Sequence, residues 1–227
     1  MARDWESVLA ERSDGYLAEL LEFVRIPSVS TTPEHAPDVA AAAQWVADRL
    51  SKAGAAEIEV IPTPGHPVVI GRWHTAPGKP TVLLYGHFDV QPADPLELWE
   101  SPPFEPTIRD GILYARGVAD MKANLLTMIQ AVEALALETG APPVNLTFLF
   151  EGEEEIGESH LPEIVESHRD RLKADVGLSG DGSMGGVDLP HVLVSAKGIA
   201  ELEIEVETSS TDLHSGEYGA AVPNAVQ

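Results

Sequence analysis

Chemistry concentrates where the apolar run Val144 to Phe150 gives way to Glu151-Gly152-Glu153-Glu154-Glu155-Ile156-Gly157. Four carboxylates crowded at one strand end repel each other and raise one another's pKa, so the cluster calls for bound cations or for acid/base work. Other segments offer matching side chains. Gly86-His87-Phe88-Asp89 places an acid two residues after an imidazole, the spacing of a metal ligand and the carboxylate that fixes its tautomer and ring orientation. Asp120 and Asp181 follow in Gly117-Val118-Ala119-Asp120-Met121-Lys122 and Gly180-Asp181-Gly182.

The elements that must position these residues are legible from periodicity. Val144 to Phe150 reads as a strand, as do the apolar runs Thr81 to Tyr85 and Ala174 to Ser179, and their ends deliver the acidic cluster, His87 and Asp181. A helical stripe runs from Trp5 to Ile26 and stops at Pro27; a second helix starts near Asp38 and ends near Gly54. Glu57 to Ile61 and Val68 to Trp73 read as strands joined by a Pro/Gly turn, Pro92 to Pro106 as a loop across the sheet end, and Ile112 to Ala115 as a short strand. From Leu125 a helix closes at Gly140, with Asp120 just ahead of it, and another helix is expected from Glu158 to about Leu172.

Alternating strands and helices predict an α/β fold with a mostly parallel sheet and helices on both faces. In such sheets ligands collect beyond the strand ends, where His87, Asp120, Glu154, Glu155 and Asp181 all fall. From Ile199 to Thr208 the pattern alternates strictly, as in a strand with one buried face. Residues 1–192 are therefore expected to form the main domain, and 193–227 the beginning of a smaller α+β domain that is cut short.

The bulk numbers narrow the chemistry. Thirty-seven acidic against fourteen basic residues leave a net charge of −23, which argues against nucleic acid and anionic membrane surfaces as partners. The absence of cysteine excludes thiolate metal sites, disulfides and cysteine nucleophiles, so any metal must be held by His, Asp and Glu. No segment approaches the ~18 apolar residues of a membrane span, and the N-terminus lacks a secretory apolar region, so a cytoplasmic location is expected. The GxGxxG pattern at Gly180 to Gly185 lacks the helix that phosphate binding needs, and Ser179 and Ser183 lack nucleophile-elbow spacing.

Taken together, Gly86-His87-Phe88-Asp89-Val90-Gln91-Pro92, Gly117 to Lys122, Glu154-Glu155-Ile156-Gly157, Asp181 and His214-Ser215-Gly216 resemble, in order and spacing, the dinuclear zinc peptidase family. That family includes carnosinase-like cytosolic dipeptidases, glutamate carboxypeptidase, acetylornithine deacetylase and succinyl-diaminopimelate desuccinylase, and the flanking residues most resemble the dipeptidases. The resemblance implies a zinc-peptidase α/β/α domain with a lid domain, and metal-dependent hydrolysis of the amide bond of dipeptides or small peptides. It implies two divalent metal ions: Zn²⁺ fits best, with Mn²⁺ or Co²⁺ tolerable at oxygen-rich sites. By the same resemblance His87 and Asp181 would bind one ion, Glu155 the other, and Asp120 would bridge them. Glu154 would be the general base, Asp89 would orient His87, and a cis peptide would follow Asp120. His214 of the lid would reach the partner subunit's site and polarise the scissile carbonyl, which implies a homodimer through the lid. An Asp at position 181 leans towards a dipeptidase over an N-acyl-amino-acid deacylase of the same family. A further metal-binding histidine and a returning half of the catalytic domain are expected beyond residue 227, without which the chain would be an inactive metal-binding fragment.

Overall fold

The computed structural model describes residues 4–157, 159–186, 188–195, 197–198, 200, 202–219 and 221–223, in two compact units, Met1–Leu189 and Pro190–Gln227. In the first unit, helix α1 (Trp5–Val24) is capped by the Asp4 carboxylate, which accepts from Ser7 N at 2.7 Å and so occupies one of the donors a helix start leaves free. Helix α2 (Ala36–Ala53) follows a single 3-10 turn, and its buried residues Val39, Ala42, Ala43, Val46, Ala47 and Leu50 recur at helical spacing. That stripe faces β1 (Ala56–Ile61) and β2 (Val68–Trp73), which form an antiparallel hairpin.

Five strands make the central sheet, in the order β1-β2-β6-β3-β7, with β3 at Thr81–His87, β6 at Asn145–Glu151 and β7 at Val176–Ser179. β3 pairs in parallel with both β6 and β7, while β1–β2 and β2–β6 are antiparallel. The α/β architecture is thus the expected one, and its sheet is mixed: a hairpin-linked strand must return antiparallel, and β2 then meets β6 in the same sense.

Alternation along the strands feeds two cores. Val69, Leu84, Phe148 and Phe150 pack with α1, α2 and α3 (Ala123–Thr139) through Phe23, Val46, Leu50, Leu125 and Ile129. Ile70, Leu83, Tyr85 and Leu149, on the opposite parity, pack with Leu161 and Ile164 of α4 (Leu161–Ser167) and with Leu172. α4 is shorter than expected because Ile164 is its only buried residue, leaving no apolar stripe to extend; Glu158 lies outside the described residues.

A separate hairpin joins β4 (Thr107–Arg109) to β5 (Ile112–Tyr114), with Asp110 and Gly111 both at positive φ, 49° and 79°. An Asp-Gly pair suits the two-residue hairpin turn, which demands that conformation at both positions. β4 is additional to the strands anticipated, and Ile112 belongs to this hairpin, outside the main sheet.

The second unit contains, among its described residues, helix α5 (Ser215–Tyr218). No strand forms in the described part of 199–208, where Leu202 and Ile204 are 91% and 81% exposed; Ile199 and Glu201 lie outside the described residues. Alternation alone does not make a strand, since its N–H and C=O groups need a neighbour.

Candidate metal centre

His87 ends β3 in register with Glu151 of β6 and is fully buried. Its Nδ1 lies 3.1 Å from the Asp89 carbonyl oxygen and 3.4 Å from Asp89 Oδ1. Both are acceptors, so Nδ1 carries a proton, and Nε2 is the atom that faces the site. Nε2 stands 3.1 Å from Asp120 Oδ1 and 3.7 Å from Asp181 Oδ2. Burial alone would push the imidazole pKa down; Asp89, Glu154 and Asp120 outweigh it and hold the pKa up at about 9.

Asp89 is itself buried and saturated. The Ser30 hydroxyl donates to its Oδ2 at 2.6 Å, Glu155 N to the same oxygen at 3.1 Å, and Glu154 N to Oδ1 at 3.3 Å. One carboxylate therefore fixes both the ring of His87 and the backbone of the acidic loop.

The four glutamates of that loop separate into distinct environments. Glu151, buried, accepts from the Tyr85 hydroxyl at 2.6 Å, and burial raises its pKa. Glu153, 1% exposed, accepts from His66 N at 2.7 Å and His160 N at 2.8 Å and faces the His160 ring, so it anchors the loop to the β1–β2 turn. Glu154 and Glu155 occupy a 3-10 turn (Glu154–Ile156) beside His87. Burial first, then neighbouring carboxylates, raise the pKa of both, while Gln91 donates to Glu155 Oε2 at 2.7 Å.

Asp120 sits in an irregular turn, Val118–Lys122, and the Asp120–Met121 peptide is cis. Gly117 opens the turn at φ 75°, where a side chain would also run into Val90. Behind the turn, buried Lys122 donates to Phe23 O at 3.2 Å and Ile26 O at 2.7 Å, tying it to the end of α1. Asp181 lies just past β7, where its backbone meets α3 through Asn124.

Ligand atoms of His87, Asp120 and Asp181 all lie within 4.8 Å of one another, and so do those of His87, Glu154 and Glu155. The structure thus brings six of the expected site residues together, counting Asp89 behind His87. Asp120 and Glu155 do not fall in one such set. His214 belongs to the other unit, where its Nδ1 accepts from Gly216 N at 3.0 Å. Among the described residues, no lysine or arginine forms an ion pair with Asp120, Glu154, Glu155 or Asp181. Asp120, Glu154 and Asp181 are exposed and Glu155 is half-buried, so the carboxylates converge on buried His87 from the solvent side, open to an ion. An all-N/O donor set with one imidazole suits a divalent cation, so these residues fit a metal.

Ser30, Gln91, Asn124 and the Tyr85–Glu151 and Glu153–His160 pairs are absent from the sequence reading of the site. Gln91 follows Asp89 by two residues in the same segment and could have been found by that alternation. Ser30 and Asn124 act across 59 and 56 residues of chain and leave no local trace.

Comparison with known proteins places this geometry in context. Residues 83–224 match the model of peptidase family M20/M25/M40. A cysteinylglycine-S-conjugate dipeptidase of Corynebacterium striatum is 34% identical over 214 residues, 91% of this chain and 46% of the relative. Among solved structures, the dipeptidase Dug1p of Saccharomyces cerevisiae superposes with a TM-score of 0.74 at 29% identity, over all of this chain and 51% of that one. Human carnosine dipeptidase 1 gives 0.71 at 31% identity, over 78% of this chain and 40% of that one. The chain spans about half the length of the curated relatives it matches.

Proposed function

The chain belongs to peptidase family M20/M25/M40, and on that premise we propose that it carries the metal-binding and proton-transferring residues of a dipeptidase that hydrolyses the amide bond of dipeptides or small peptides. The observation that carries this reading is His87 Nε2 shared among carboxylates from three separate segments, with no lysine or arginine paired to them among the described residues. The dipeptidase names of the relatives favour this reading over the deacylase alternative.

His87 and Asp181 would hold one ion and Glu155 a second, with Asp120 between them. Two divalent ions, Zn²⁺ by preference and Mn²⁺ or Co²⁺ as substitutes, would supply neutralisation of the carboxylates and polarisation of a water and of the scissile carbonyl. Asp89 keeps a proton on His87 Nδ1, so Nε2 is the nitrogen that would ligate, giving up its own proton to do so. Glu154, beside the ligands and with its pKa raised by burial, would take a proton from the attacking water as its oxygen bonds to the carbonyl carbon. It would return that proton to the amine nitrogen as the C–N bond breaks. His214 would donate to the tetrahedral oxyanion from the lid of a partner subunit in a homodimer. The net charge of −23 disfavours polyanionic substrates, in keeping with small peptides, and the proposal includes a cytoplasmic location.

The test is Zn²⁺ binding by the wild type and two variants, with Cys-Gly hydrolysis measured on the same variants in a form extended to the length of the relatives. Glu154→Gln should retain Zn²⁺ and lose about 10²–10⁴-fold in hydrolysis, the usual contribution of a general base. Asp120→Ala should lose the metal. A wild type that binds no divalent ion, or Asp120→Ala binding as tightly as wild type, would overturn the reading.

A further inference from the structure

One face of α3 grips the turn that carries Asp181. Asn124, in the first helical turn, donates from Nδ2 to Gly180 O at 2.9 Å and to Gly182 O at 2.9 Å, the carbonyls on either side of Asp181. Both amide protons are thereby used, and because the partners are two carbonyl oxygens, the nitrogen and not the oxygen must face them. Met128 lies one helical turn further along the same face. A Cβ at Gly180 would come within 2.7 Å of Met128 Cε, so the glycine lets the turn seat directly on the helix. The Asp181 carboxylate is 37% exposed and approaches only His87, at 3.7 Å, among the ion-pair contacts of the described residues. Its position is therefore set by its backbone, where Gly180 N donates to Tyr85 O at 3.1 Å, Asp181 N donates to Ser179 Oγ at 3.3 Å, and Asn124 supplies the two side-chain bonds from outside the turn.

The same helix start governs the rest of the set. Asp120 lies four residues before Asn124, and Met121 Sδ accepts from His87 N at 3.2 Å. Asp120, His87 and Asp181 come from three different segments, and a short stretch of chain at the start of α3 contains the first, touches the second and holds the residues on either side of the third.

We infer that Asn124 is the positioning residue for Asp181, holding that carboxylate at the distance from His87 and Asp120 that a divalent ion requires. The inference rests on the metallopeptidase reading and deepens it. A residue that fixes a ligand without touching the metal contributes through preorganisation, and losing such a partner costs about 10–100-fold in metal affinity.

The experiment measures Zn²⁺ affinity of the full 227-residue chain by competition with a chromophoric chelator, alongside urea unfolding of the metal-free protein. The variants are Asn124→Leu, Asn124→Ala and Tyr16→Phe. Tyr16→Phe removes the 2.9 Å bond to Glu133 in the helical layer and serves as a destabilised control remote from the ligands. Both Asn124 variants should bind Zn²⁺ about 10–100-fold more weakly while Tyr16→Phe binds like wild type. If wild type binds no Zn²⁺, the metallopeptidase reading itself fails. If wild type binds and the Asn124 variants bind equally well, the positioning role is wrong. It is equally wrong if Tyr16→Phe loses as much affinity as they do for the same shift in urea midpoint. Asn124→Ala, the smaller change, decides the matter should Asn124→Leu not fold.

Discussion

Replacing Asp89 by Asn isolates the charge on which the candidate centre depends. The carboxylate is fully buried and takes three donors, the Ser30 hydroxyl at 2.6 Å, Glu155 N at 3.1 Å and Glu154 N at 3.3 Å, besides facing His87 Nδ1. An amide of the same shape keeps one acceptor oxygen and turns an NH₂ towards donors. Hydrogen bonds to a charged group contribute about 1.5–3 kcal/mol each, neutral ones about 1, and a buried donor left unpaired costs about 1–3. Two bonds weakened and one donor orphaned sum to about 3 kcal/mol of lost stability. The assay is urea unfolding of metal-free protein at neutral pH, followed by the fluorescence of core residues such as Trp45, whose ring stacks on Phe23 at 4.3 Å. Zn²⁺ affinity should fall about 10–100-fold in parallel, because the His87 ring loses its orienting partner. Ser30→Ala should cost about 1.5–3 kcal/mol, and the double variant less than the sum, since one change weakens the bond that the other removes. A loss under about 0.5 kcal/mol for Asp89→Asn, the size of an ordinary surface change, with unaltered Zn²⁺ affinity would refute the idea that one buried charge holds the ring and the loop together.

Gly152→Ala should destabilise the chain by about 1–3 kcal/mol, the usual cost of overpacking a core, because its Cβ would meet Phe88 Cε2 at 2.7 Å and Val39 Cγ1 at 2.9 Å; urea midpoints of the metal-free protein check this. Glu19 supplies a pH dependence away from the site: burial works against its carboxylate, but bonds from Lys52 at 2.6 Å and Arg49 at 2.8 Å prevail and hold its pKa below the ordinary 4.5. A carboxyl whose pKa is lower folded than unfolded contributes stability above the unfolded value and loses it as pH falls through the folded one. Wild type should therefore lose stability more steeply than Glu19→Gln below pH 4.5, measured as urea midpoints against pH.

Much of this was legible in the chain. Strands β3, β6 and β7 announce themselves as apolar runs, and each ends where its chemical residue begins, so the gathering of His87, the acidic loop and Asp181 on one rim follows from topology. The sense of β2 was harder to read, because pairing direction depends on which strand a hairpin lies beside and not on its own residues. Ser30 and Asn124 escaped because their partners are brought near only by the finished fold. In the described part of 199–208 the alternation over-promised for a related reason: period two marks which face could be buried, whereas a strand also needs a neighbour.

The acidic loop shows why composition overstates a site. Glu151 continues the parity of Leu149 and so emerges beside Tyr85 on the α4 face, where a hydroxyl meets it. At Gly152 the chain lies too close to Phe88 and Val39 for a side chain, and strand alternation ends. Glu153 can then turn back into the donors of His66 and His160, and Asp89 draws in the N–H groups of Glu154 and Glu155, which faces their side chains towards His87. Of these four acids, Glu151 and Glu153 are taken up by hydrogen bonds within the fold, and Glu154 and Glu155 stay beside His87. The division is enforced by where hydrogen-bond donors lie, and no count of charges could have foretold it.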